Sequence, residues 1–266
     1  LLNSQPMGFY APSQLVQDAR RAGVEVRPAD VQYSDWECTL EPSTSKKTAP
    51  ALRLGLKLVK GLRQGAVERL MAARAAKGFD HVTDIARRAE LERGALNALA
   101  KAGAFASLSG NRHQASWAAL GVEAVLPVLA DATINEGVPM LRPPGEGDNM
   151  VADYVNLGLT LGRHPVALLR HGFERKSYVT ATQIRHCDPG VQIKTVGLVI
   201  SRQRPGTATG VVFITLEDET GVINLIVWSS LVESQRRELL GADLMGVVGE
   251  VQREGEVVHV IAKRLI

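Results

Sequence analysis

Five apolar runs near the end of the chain most constrain its fold: Val191 to Ile200, Val211 to Glu217, Val222 to Trp228, Leu244 to Gln252 and Val257 to Ile261. Each is short and rich in β-branched residues, the signature of strands. Asp218-Glu219-Thr220-Gly221 supplies a tight turn between the second and third runs. One helix, from about Leu231 to Leu240, falls between the third and fourth.

Five strands with a helix in that place match an oligonucleotide/oligosaccharide-binding (OB) barrel. Such barrels hold single strands by aromatic stacking and basic side chains. Here Phe213, with Lys194, Arg202 and Arg204, offers both chemistries. The competing place for Phe213 and Trp228 is the barrel interior, and for Trp228 the interior is the preferred reading.

Upstream the pattern turns helical. Pro12 to Ala22 carries Leu15, Val16 and Ala19 on one face and stops at Gly23, after which Val24 to Val31 alternates like a short strand or arm. Ser43 to Pro50 reads as a polar hinge. Leu54, Leu58 and Val59 have helical spacing, as do Val67, Leu70 and Met71, and between them lies a basic hairpin, Lys60-Gly61-Leu62-Arg63-Gln64-Gly65. Gly61 and Gly65 can make a tight turn and admit a phosphate to the backbone. The next helix then aims its free N–H groups and dipole at the anion. Lys57, Lys60 and Arg63 add charge, Gly61, Leu62 and Gly65 join them as expected DNA contacts, and the alternative is an ordinary helical hairpin with solvated lysines.

A second hairpin follows, with Val82, Ile85 and Ala86 on one helix and Leu96, Leu99 and Ala100 on another closed by Gly103. Its loop, Arg87 to Gly94, carries basic residues but lacks closely set glycines, so it reads as the packing member of the pair. Lys101 and Arg112 are further basic candidates. A helix from Arg112 to Leu120 is expected to send Trp117 into the core. Leu126 to Asn149, with four prolines and three glycines, has linker composition. Asp153 to Arg170 resumes helical character, broken near Gly162 and His164-Pro165.

Charge separates these regions. Residues 46–125 hold 14 Lys and Arg against 6 Asp and Glu, a net of +8, although the whole chain of 266 residues is only +3. A field concentrated on one helical segment suits a polyanion, and nucleic acid is the natural partner. No run approaches a membrane span, and Cys38 and Cys187 form neither a disulfide framework nor a zinc signature. A cytoplasmic protein with reduced thiols is expected. The start at Leu1, in mid-pattern, reads as a piece of something longer. Polymerase chemistry needs clustered carboxylates around divalent metals. Glu217-Asp218-Glu219 is the nearest cluster and sits where a solvated turn is needed, so no catalytic residue and no metal ligand is assigned. No paired histidines, nucleophile elbow or phosphate-binding Walker loop occurs either.

The combination resembles the carboxy-terminal half of the bacterial C-family DNA polymerases. Ser4-Gln5-Pro6-Met7-Gly8-Phe9-Tyr10-Ala11-Pro12 is similar to the end of their fingers region. Leu52 to Leu62, with Ala98 to Phe105, is similar to their tandem helix-hairpin-helix unit, and Arg204 to Gly221 to the first hairpin of their barrel. The resemblance is closest to the error-prone, damage-induced branch. The interval Val138 to Tyr154 shows no clamp-binding peptide, and Gly158-Leu159-Thr160-Leu161-Gly162-Arg163-His164-Pro165 fits that branch.

The resemblance implies an α+β multidomain chain, an all-α helix-hairpin-helix domain followed by a five-stranded OB-fold β-barrel. It divides into the end of the fingers (1–45), the helix-hairpin-helix domain (46–125), a linker and helical connector (126–190) and the barrel (191–266). It implies a parent DNA polymerase with Mg2+ in a palm domain outside this chain, which itself is inactive and holds no cofactor. Its partners would be duplex primer-template, single-stranded template and proteins of a mutagenesis complex, with no membrane. A protein-docking scaffold with incidental DNA binding is the main alternative, and an anticodon-reading RNA barrel a third.

Overall fold

The computed structural model describes residues 1–8, 10–43, 50–122, 139–206 and 210–266. The chain divides into two units, 1–162 and 163–266. The first begins with helix α1 (Pro12–Arg21), close to the expected span, with proline in its first turn, where a missing N–H costs nothing. Strands β1 (Val26–Arg27), β2 (Thr39–Glu41) and β3 (Ala51–Arg53) then form a small sheet in the order β1-β3-β2, so the helical domain also carries strands. Arg53 Nε and Arg27 Nη1 donate to Glu41 at 2.8 and 2.6 Å across this sheet. The Arg53 hydrogen bond, opposed by burial and helped by Arg27, holds the Glu41 carboxyl below the usual carboxylate range.

The helical spacing of Leu54, Leu58 and Val59 does not produce a helix. Ala51 to Arg53 is strand, Gly55 is extended, and only Leu56–Leu58 makes a single 3-10 turn. The cause is a crossing of the chain. A Cβ on Gly55 would lie 2.4 Å from the Glu37 carbonyl carbon, and the Leu56 and Lys57 N–H groups donate to Asp35 and Trp36 carbonyls. Those bonds replace a helical ladder.

Helices α2 (Gln64–Ala76), α3 (Val82–Arg88), α4 (Arg93–Ala102), α5 (Ala106–Ser109), α6 (Arg112–Leu120) and α7 (Glu146–Asn156) complete the unit. Their shared core includes Leu54, Leu56, Val67, Leu70, Ile85, Leu96, Leu99 and Phe105. Leu2, Val16 and Leu159 belong to it as well, so residues 1–45 are built on the same core as 46–125. Trp117 is not in that core. The buried face of α6 is Ala115 and Ala119, and Trp117, two residues from either, is 57% exposed. Part of the expected linker is helix too. Asp148 accepts the Gly145 N–H at 3.1 Å and, with Glu146, places acid in the first turn of α7. Residues 44–49 of the hinge and 126–138 of the linker lie outside the described residues.

The second unit opens with α8 (Pro165–Glu174), whose N-cap His164 accepts the Val166 N–H through Nδ1 at 3.2 Å. The expected break is therefore real and spans Leu157 to His164. Strand β4 (Tyr178–Val179) and helix α9 (Ala181–Arg185) follow. The expected runs then appear as β5 (Gln192–Gln203), β6 (Val212–Asp218), β7 (Gly221–Val227), β8 (Leu244–Glu254) and β9 (Val257–Leu265). The single helix between the third and fourth is two short ones, α10 (Ser229–Ser234) and α11 (Arg236–Gly241). The order β5-β6-β7-β9-β8 is closed by a β5–β8 pairing, a five-stranded barrel with β4 added beside β5. Ile214, Leu216, Leu225, Val227, Met245 and Val247 fill its interior.

The turn between β6 and β7 is a fastening point, not a solvated loop. Asp218 is fully buried and accepts the N–H groups of Ala181 (2.7 Å), Thr220 (2.7 Å) and Gly221 (2.9 Å). Arg170 of α8 grips Glu219 through Nε at 2.5 Å and Nη2 at 3.0 Å. Burial alone would raise the Glu219 carboxyl, and the Arg170 hydrogen bond and charge outweigh it, leaving the group below its usual range.

Candidate nucleic-acid interface

The first hairpin runs from the 3-10 turn through Val59, Lys60, Gly61 and Leu62 to Arg63, the N-cap of α2. Gly61 has φ +82°, a left-handed conformation that side chains with a Cβ rarely adopt. It turns the loop so that Leu62 drops into the core while Lys60, Gly61 and Arg63 stay exposed. Gly65 does not shape the turn. It lies inside α2 without positive φ, and a Cβ there would meet nothing within 4 Å. What it leaves is open space over the first turn of a 13-residue helix, where N–H groups have no intrahelical acceptor. That space admits an anion to the backbone.

Two of the expected basic contacts are committed elsewhere. Lys57 Nζ donates to the Asn3 carbonyl at 2.7 Å and Glu37 Oε1 at 3.1 Å, with its side chain 16% exposed. Arg112 donates to the Lys101 carbonyl (2.9 Å), Asn149 Oδ1 (2.6 Å) and Asp153, bolting α7 to the end of α4. Both are structural cations, satisfied because each was taken up by carbonyls and carboxylates of neighbouring elements. Lys60 Nζ rests 3.1 Å from the Tyr154 carbonyl but stays exposed, with donors to spare. Lys101 is exposed in the last turn of α4. Arg63 is left as the exposed cation nearest the free end of α2.

The second hairpin parallels the first residue by residue. With Val59 to Val67 set against Arg88 to Leu96, Glu90 occupies the place of Gly61 with φ +48°, Leu91 is buried like Leu62, and Glu92 is the N-cap of α4 as Arg63 is of α2, although the Leu62 N–H donates to the Val59 carbonyl and that of Leu91 to the Ala86 carbonyl. Gly94 matches Gly65, again with nothing within 4 Å of a Cβ. The chemistry is opposite, with two exposed carboxylates where the first hairpin has a glycine and a guanidinium. The loop carbonyls of Ala89 and Glu90 instead accept Arg69 from α2 at 3.1 and 3.2 Å.

On the barrel, Phe213 is 37% exposed on the outer face of β6, between inward-facing Val212 and Ile214. Trp228 is not in the core. Extended at φ −71° and ψ 155°, it continues the alternation of β7 past inward Val227, so its ring turns outward and is 51% exposed. Arg202 is diverted to the end of α11, donating to the Leu239 carbonyl at 2.7 Å and to that of Ala242. Lys194 is exposed at the far end of β5, nine residues from Gln203, the partner of Phe213. Arg204 is exposed just beyond Gln203. The structure thus keeps Phe213 and Arg204 together, adds Trp228, and separates Lys194. Of the two thiols, Cys38 accepts the Gly55 N–H at 3.2 Å and is pushed up by burial, the behaviour of an inert cysteine.

No helix among the described residues is long and apolar enough to cross a membrane. Residues 23–115 match the helix-hairpin-helix motif and residues 193–266 the OB-fold nucleic acid binding domain. All of the chain aligns with the error-prone DNA polymerase of Alkalilimnicola ehrlichii at 54% identity, covering 26% of that protein. The error-prone DNA polymerases of Aromatoleum aromaticum and Methylococcus capsulatus align over the whole chain at 53% and 49%, covering 25% and 27% of their lengths. The chain spans about a quarter of the length of these relatives, and over all of its own length it is similar to error-prone DNA polymerases.

Proposed function

We propose that this chain is the DNA-holding part of a polymerase that adds deoxynucleotides across damaged templates, the metal-dependent chemistry being done by Mg2+ held in a palm domain of the parent protein. The first hairpin grips duplex through the phosphate backbone, and the barrel takes unpaired template. The observation that carries the duplex reading is the exposed start of α2, opened by Gly65, turned outward by Gly61 and flanked by Arg63 and Lys60. Contacts of this kind read no base edges, so they suit an enzyme that must move along any sequence.

Duplex titrations at several salt concentrations test it. Arg63→Ala should weaken binding equally on unrelated sequences and lower the salt slope by roughly 1, the loss of one phosphate contact. An unchanged slope removes the assignment to this hairpin. Arg63 is the better probe than Lys60, whose Nζ also donates to the Tyr154 carbonyl at 3.1 Å and so helps to hold the fold.

A further inference from the structure

Helix α7 ends against the first hairpin. Its C-cap is Leu157 and the next residue, Gly158, is left-handed at φ +76°, a common way for a helix to stop with terminal carbonyls still to be met. Lys60 meets them twice. Its backbone N–H donates to the Asn156 carbonyl at 2.9 Å and its Nζ to the Tyr154 carbonyl at 3.1 Å. The lysine stem lies along the same corner, with Cε 4.0 Å from the place of a Cβ on Gly158. A cation at a helix C-terminus also suits the dipole. Because the ammonium keeps two more donors and Lys60 stays exposed, the side chain is aimed without being used up.

What holds α7 in that place is polar, since no residue of the helix itself is buried. One oxygen of Asp153 accepts Arg112 of α6, and the other accepts the Thr160 hydroxyl at 2.5 Å. Thr160 is 2% exposed and takes the Gly162 N–H at 3.0 Å, and its neighbour Leu159 lies in the core. Asp153 thus fixes the turn that presents Tyr154 and Asn156 from both sides, the helix before it through Arg112 and the chain after it through Thr160.

We infer that Asp153 is a positioning residue of the duplex grip, acting through Lys60 without touching DNA. It sets the end of α7, the end of α7 holds Lys60, and Lys60 meets the phosphate already ordered. A lysine left free would have to give up its rotamer freedom at binding instead. The inference rests on the reading of the first hairpin as the grip. It also carries a sign opposite to that of charge alone: removing a carboxylate from a DNA-binding unit should tighten binding, and here it should loosen it.

The test is a double-mutant cycle on duplex titrations with the whole chain. Asp153→Ala should weaken binding by about two- to tenfold, the cost of ordering one long side chain, with the salt slope unchanged because Lys60 still reaches a phosphate. Lys60→Met, which keeps the stem and removes the charge, should lower the slope by roughly 1. In the Lys60→Met background Asp153→Ala should cost little further, whereas in the Arg63→Ala background its effect should persist in full. A general folding defect would show in both backgrounds. Asp153→Asn removes the same charge yet can still accept from Arg112 and donate to Thr160, so it should bind like the native chain. Thr160→Val, which cuts one of the two ties, should repeat the loss at a smaller size, and it serves where Asp153→Ala does not fold. Native or tighter binding by Asp153→Ala, equal losses in the two backgrounds, or a loss in Asp153→Asn as large as that in Asp153→Ala overturns the positioning role and leaves the grip intact. Unchanged salt slopes in both Lys60→Met and Arg63→Ala overturn the grip itself, and the inference with it.

Discussion

Residues 59–67 and 88–96 lead into α2 and α4 with the same four features, a left-handed residue at Gly61 or Glu90, a buried Leu62 or Leu91, an N-cap at Arg63 or Glu92 and an unhindered glycine at Gly65 or Gly94. The backbone of a phosphate grip is thus present twice. The side chains differ: a polyanion would meet Lys60 and Arg63 at the first, but at the second the carboxylates of Glu90 and Glu92 beside the exposed Arg93. A repeated backbone therefore does not imply a repeated function. A helix N-terminus contributes about half an elementary charge, and a nearby formal charge of the wrong sign cancels it. The second copy has been turned to packing, its loop carbonyls receiving Arg69 from the first.

The sharpest difference lies in the left-handed residue. Gly61→Val should destabilise the chain by about 1 to 2 kcal/mol, the cost of left-handed backbone for a residue with a Cβ, measured by urea unfolding followed by circular dichroism. Glu90→Gly at the matching place, φ +48°, should raise stability by up to about 1 kcal/mol, since the strain it relieves exceeds the added entropy of an unfolded glycine. A loss of stability in Glu90→Gly would show that the Glu90 side chain is held by the fold and that the two turns are not equivalent.

Charge comes next in size. Glu92→Arg should tighten duplex binding several-fold, about 1 kcal/mol for a reversed charge several ångströms from a phosphate in a largely aqueous setting, and steepen the salt slope. Glu256→Arg, the same reversal on an exposed turn of the barrel unit, serves as the control. If both variants tighten binding equally, net charge explains the gain and the duplex does not pass the second hairpin.

The barrel was readable because strand periodicity survives in a closed sheet: alternate residues must face one interior. That rule, applied beyond β7, also places Trp228 outside, two residues on from Ile226, against the preferred interior reading. α1, α3 and α4 are legible from their apolar faces, while the span of α6 is legible but not its buried face, Ala115 and Ala119. The segment Leu54 to Val59 misled because its spacing fits a helix, whereas Gly55 is required by a chain crossing 17 residues distant in sequence, at Cys38. Non-local contact of that kind leaves no periodic trace. The same holds for the basic candidates. Lys57, Arg112 and Arg202 look like Arg63 in the sequence, and only the fold shows that Asn3, Asp153 and Leu239 claim them. A lysine or arginine count thus finds the charged region but not which cations remain available to a ligand.

The smallest effect separates structure from function most cleanly. Gly65 and Gly94 sit inside helices, have ordinary helical backbone and leave empty space where a Cβ would go. Nothing within the fold requires either glycine, and each costs its helix about 0.5 to 1 kcal/mol relative to alanine. Gly65→Ala and Gly94→Ala should therefore both raise the urea midpoint by similar amounts. They should part on duplex: a methyl group at Gly65 intrudes where phosphate approaches the first turn of α2 and should weaken binding a few-fold, while Gly94→Ala should leave affinity unchanged. If Gly94→Ala weakens binding as much as Gly65→Ala, both hairpins hold DNA and the carboxylates of the second do not exclude it. If neither does, the open glycine at the start of α2 is not a phosphate seat, and the grip lies in Lys60 and Arg63 alone.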